Sequence, residues 1–96
     1  MIDGNAFQAV MAEVLKERES AHVKHGAKSA EETPWTSPLF MTILTEEIGE
    51  VAKAINDFRY IANMPHKLAR ELRKELIQVT AMSTAWIAAI DESGTI

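Results

Sequence analysis

Between Phe40 and Ile90 apolar residues return every three or four positions, and a single proline, Pro65, interrupts them. That proline constrains the fold more than any other residue. It biases Met64 away from helical backbone, so the chain must turn near Asn63. Upstream, Ser37 and Pro38 form an N-cap and first-turn pair. Phe40, Ile43, Leu44, Ile48, Val51, Ile55 and Phe58 then mark one stripe of a helix reaching to about residue 62. Downstream, Leu68, Leu72, Leu76, Val79, Met82, Trp86 and Ile90 mark a second helix that reaches about residue 91, with Gly94 past its end. So short a connection makes the two helices an antiparallel hairpin.

A shorter helix precedes the hairpin over about residues 5–22, where Phe7, Val10, Met11, Val14 and Leu15 follow the same spacing. Asp3 or Asn5 can cap it, and Asn5 with Gln8 has the spacing of a capping box. Gly26, Ser29, Thr33 and Pro34 then argue for a long loop over about residues 24–36, and a flexible tail is expected at 93–96. The expected architecture is one all-α domain over residues 1–96 with three main helices. From Leu76 to Ile90 the last helix carries no charged residue, and Ile77, Ile87 and Ala88 lie off the stripe that faces the hairpin. A second copy can cover that circumference, with Ala81, Ser83, Ala85 and Ala89 allowing close approach, so a four-helix bundle completed by self-association is expected. Either a homodimer or a dimer of dimers satisfies this.

The 10 Lys and Arg against 14 Asp and Glu give a net charge of −4 and no basic field for a nucleic-acid backbone. With no cysteine, neither a disulfide framework nor a thiolate metal site is possible. No apolar run approaches a membrane span and no signal core opens the chain, so a cytoplasmic location is expected.

The anomaly that points to function is acidic. At 100° per residue Glu47 falls in the middle of the apolar arc of its helix, between Ile43 and Val51, with Glu50 at the arc's edge and Glu46 further round. The partner helix repeats this, with Glu75 between Leu72 and Val79, and Glu71 and Gln78 one turn to either side. A hairpin folded between residues 62 and 63 brings positions whose numbers sum to about 125 to one height, so Glu47, Glu50, Glu75 and Gln78 should converge. Two carboxylates about 5 Å apart repel by roughly 3 kcal/mol at an effective dielectric of 20. Three require protonation or a cation, and a hard divalent ion such as Mg²⁺ suits an oxygen donor set. The alternative is a solvated face on which these glutamates pair with Lys53, Arg70, Arg73 or Lys74.

The order Glu46-Glu47-Ile48-Gly49-Glu50, a gap of 24 residues, then Glu75-Leu76-Ile77-Gln78, resembles the EExxE…ExxD signature of the MazG-like all-α NTP pyrophosphohydrolases. The similarity extends from about Leu39 to Ile90. This resemblance implies Mg²⁺, or Mn²⁺, held by Glu47, Glu50, Glu75 and position 78, where Gln78 stands in place of the family's Asp. It also implies water attack on a nucleoside triphosphate to give the monophosphate and pyrophosphate, in a housecleaning role. Glu46 or Glu47 is the candidate proton acceptor.

Lys53, Arg73 and Lys74 are candidates to reach phosphate oxygens, and Trp35 either stacks on a base or caps the core. His22 and His25 are better explained by a solvated turn than by a metal pair. Neither acidic motif contains the Glu-x-x-His of di-iron bundles, and no Gly-rich phosphate loop occurs in the sequence. Two rivals to the enzyme stand beside it: a catalytically weak nucleotide- or metal-binding or assembly module, and a purely structural helical oligomer.

Overall fold

The computed structural model describes residues 3–25, 33–58 and 65–94, leaving aside the side chains of His25 and Pro65. Three helices make up the fold: α1 (Gly4–His25), α2 (Leu39–Phe58) and α3 (Pro65–Glu92). No strand occurs among the described residues. Most of the expected loop, the turn near Asn63 and the last two residues lie outside them.

Local signals fix the helix ends. Asp3, rather than Asn5, caps α1: its Oδ1 accepts hydrogen bonds from the backbone N–H groups of Asn5 (3.0 Å) and Ala6 (3.2 Å). The helix continues to His25, past the expected break near residue 22. Ser37 Oγ accepts from Leu39 N–H at 3.2 Å and so caps α2 as expected. Gly94, at φ 71°, takes the left-handed conformation that ends α3, a conformation that costs a glycine little.

α2 and α3 pack along their length, and α1 lies mainly against α3. Phe40 is fully buried and stacks on Trp86 with ring centroids 5.4 Å apart. The indole Nε1 of Trp86 donates to the carbonyl of Trp35 at 2.9 Å, which pins the segment before α2 onto α3. Ala81, Met82 and Ala85 complete the core on α3, with Ala54 on α2 and Val14 on α1. Toward the other end of the hairpin the Lys67 ammonium lies 5.3 Å from the Phe58 ring centroid.

The expected stripe of α1 does not become core: Val14 is buried, but Phe7, Val10, Met11 and Leu15 are exposed. The reason is geometric, since α1 has essentially one neighbour and one helix covers only a narrow strip of another. A half-exposed bidentate ion pair links it to α3, with Arg73 Nη1 and Nη2 each 2.8 Å from a Glu13 carboxylate oxygen. Ile48 and Ile55 on α2 and Leu76 on α3 were also expected inside and are exposed, while Ile87 and Ala88 are exposed as their off-stripe positions require. No helix among the described residues is long and apolar enough to cross a membrane.

Candidate carboxylate site

The seam between α2 and α3 opens into a cleft of about 170 Å³ toward the Phe58 end of the hairpin. Glu50, Lys53, Ala54, Asp57 and Phe58 line it from α2, and Glu71 and Glu75 from α3. Of the two pairs expected at one height, Glu50 and Glu75 both line the cleft, whereas Glu47 and Gln78 do not. α2 supplies its carboxylates at i, i+7 and α3 at i, i+4, spacings that place each pair on one helix face.

Glu47 stands half-buried one turn from Glu50. Burial pushes its carboxyl above the ordinary carboxylate range, and the charges of Glu75, Glu50, Glu46 and, from α1, Glu17 push it further the same way. Four other glutamates from all three helices thus act on one side chain, in a position where an apolar residue would otherwise complete the seam.

Of the candidates named from sequence, Glu50, Glu75 and Lys53 share the cleft. The charges of Glu50 and Glu75 act on Glu47, Glu46 is exposed, and Gln78 is half-buried and does not line the cleft. Glu71 and Asp57 line it instead. The i, i+4 relation to Glu75 had already marked Glu71 from sequence, and for Asp57 the i, i+7 relation to Glu50 was the available signal. The donor set is all hard carboxylate oxygen and suits a divalent cation in its chemistry. Among the described residues, however, no three His, Asp or Glu side chains converge as a ready-made ligand group. In an antiparallel pair each side chain leans toward its own helix N-terminus, so the tips from α2 and α3 diverge and a rotamer change must gather them.

The basic candidates separate. Lys53 reaches Asp57 at 3.1 Å within its own helix, and this hydrogen bond and the Asp57 charge favour its ammonium form. Arg73 is engaged by Glu13 and lies outside the cleft lining, as does the exposed Lys74. Trp35 docks beside Trp86, which is eleven residues, or about 16 Å of helix, beyond Glu75. It caps the packed end and is placed away from the cleft.

A larger groove of about 300 Å³ lies between α1 and the C-terminal part of α3, over Leu15, Ala85, Ala88 and Ala89, with Arg18, Glu19, His22 and Glu92 also lining it. Volume alone favours it as a site. The carboxylate cleft is the better candidate for chemistry because burial, together with the carboxylates bordering the cleft, perturbs the protonation of the neighbouring Glu47. Comparison with family models, with curated proteins and with solved structures returns no match.

Proposed function

We propose that this protein is a Mg²⁺-dependent nucleoside triphosphate pyrophosphohydrolase, converting an NTP or dNTP and water to the monophosphate and pyrophosphate. The observation that carries the reading is Glu47: a half-buried carboxyl raised by burial and by carboxylates on both hairpin helices, at the position matching the MazG-like motif. Glu47, Glu50 and Glu75 would hold the cation, with the fourth place taken by Gln78 or by Glu71. Bound there, a divalent cation supplies neutralisation of phosphate charge and acidification of a water. Glu46 or Glu47, whichever is not engaged by the cation, would accept the proton of the attacking water. Lys53, at the cleft wall and paired with Asp57, would meet phosphate oxygens by exchanging that partner. A homodimer or dimer of dimers and a cytoplasmic setting accompany this reading.

One observation favours a second reading. Gln78 is neutral where the motif has Asp, and such a site suits a weak metal- or nucleotide-binding or assembly module. Pyrophosphate release from a panel of standard and modified NTPs and dNTPs, with and without Mg²⁺, separates the two. Metal-dependent release that Glu50→Gln abolishes supports the enzyme; nucleotide binding without release supports the module.

A further inference from the structure

Two apolar strips, one on α2 and one on α3, are left uncovered, and both are without charge. On the α2 wheel, taking Phe40 as zero, every charged residue falls between about 220° and 340°. The other half, through Val51, Leu44, Ile55, Ile48, Met41, Ala52 and Thr45, carries none. Solvent-facing halves of helices are normally the charged ones, so this half is built for cover. Met41, Ile48 and Ile55 repeat along it at intervals of seven and are 54%, 53% and 36% exposed. On α3 the stretch from Leu76 to Ile90 is equally uncharged, with Leu76 and Ile87 exposed.

Both strips look away from α1. Going round α3, α1 meets Ala85 and Ala88, the cleft meets Glu71 and Glu75, and Leu76 and Ile87 come next. The charge of Glu17 on α1 reaches Glu47, so α1 lies on the side of the hairpin toward which the charged half of α2 turns. The hydroxyls on this face are already occupied: Thr45 Oγ1 donates to Met41 O (2.7 Å), Thr80 Oγ1 to Leu76 O (2.8 Å) and Ser83 Oγ to Val79 O (2.9 Å). They can be dehydrated without stranding a donor.

We infer that a second copy of this chain docks on the α2/α3 face opposite α1, with α2 crossing its counterpart antiparallel about a two-fold axis near Ile48, which leaves the carboxylate cleft outside the interface. Three features select a second copy. A heptad series centred on Ile48 is self-complementary under a two-fold, Met41 meeting the partner's Ile55. Chains of net charge −4 repel, and this is the face without charges to add to that repulsion. The chain exposes 7126 Å², whereas a compact monomer of 10.7 kDa exposes about 5,500 Å². That excess, about 1,600 Å² per chain, is more than the roughly 800 Å² that each partner buries in a standard-size interface. The inference rests on the self-association reading and specifies its face.

Light scattering on the full chain at micromolar concentration is expected to give a multiple of 10.7 kDa. Ile48→Glu and Ile87→Glu, each at a side chain exposed in the single chain, should keep helical circular dichroism and weaken association about 100-fold or more. Leu15→Glu, in the α1/α3 groove, should leave the mass unchanged. Because the chain has no cysteine, Ile48→Cys provides an independent reading: oxidation should cross-link two chains through the introduced thiols, whereas Leu15→Cys should not. A monomeric wild type overturns self-association itself. An oligomer that survives Ile48→Glu but is broken by Leu15→Glu overturns the face alone, as does cross-linking of Leu15→Cys in place of Ile48→Cys.

Discussion

The two ends of the α2/α3 hairpin share one register and differ in what they place between the helices. At one end Phe40 stacks on Trp86 over Ala81, Met82 and Ala85, and the indole N–H is satisfied by the Trp35 carbonyl. At the other, Glu50, Glu71, Glu75 and Asp57 border an open cleft in which Ala54 is the buried apolar residue. Close packing at the first end holds the helices together, and this lets the second end tolerate carboxylates that repel one another. Stability and candidate chemistry are thus separated along a single seam, some three turns apart.

The largest expected effect comes from breaking the packed end. Phe40→Ala removes a fully buried ring and should cost about 3–5 kcal/mol, read as a lower urea midpoint. Trp86→Phe keeps most of the stacking but leaves the Trp35 carbonyl without its donor, and should cost about 1–2 kcal/mol. At the carboxylate end the signs reverse. Mg²⁺ at ten times its dissociation constant should stabilise the fold by about 1.4 kcal/mol, seen as a higher Tm. Glu47→Gln, Glu50→Gln and Glu75→Gln should each abolish that gain; an undiminished shift in all three removes the cation from the site.

A smaller effect tests Glu47 without metal. Its folded-state carboxyl is raised above the ordinary value of 4.5, so ionisation costs folding stability as pH climbs from 4.5 through the folded-state value, and the penalty persists at neutral pH. Glu47→Gln should therefore be more stable than wild type at pH 7 in chelator, with the advantage fading below pH 4.5. An advantage independent of pH would make it a packing effect. The finest comparison is at position 78. Gln78→Asp should lower stability in chelator and restore it with saturating Mg²⁺; equal changes in both conditions would give the fourth ligand place to Glu71.

The hairpin was legible because Pro65 fixes where the chain reverses, and a fixed reversal point fixes which numbers face each other. Glu50 with Glu75 and Ala54 with Glu71 follow from that alone. The place of α1 was not legible. Periodicity identifies the apolar face of Phe7, Met11 and Leu15 but cannot say what covers it, and here one helix covers Val14 and little else. Within the site, equal-height pairing pointed to Glu47 and Gln78, which do not line the cleft, and passed over Asp57, because side chains on antiparallel helices lean in opposite directions. The engagement of Arg73 by Glu13 joins residues 60 positions apart and has no local signal.

The bond from Trp86 to the Trp35 carbonyl also decides what light can report from this molecule. The chain has two tryptophans, and both lie at the packed end, about 16 Å of helix from Glu75. Intrinsic emission therefore gauges that end alone: unfolding or loss of the Phe40 stack should move it, while a cation gathered by the glutamates should leave it nearly unchanged. A probe for the cleft must be brought in with the ligand, for instance a nucleotide bearing a fluorescent base.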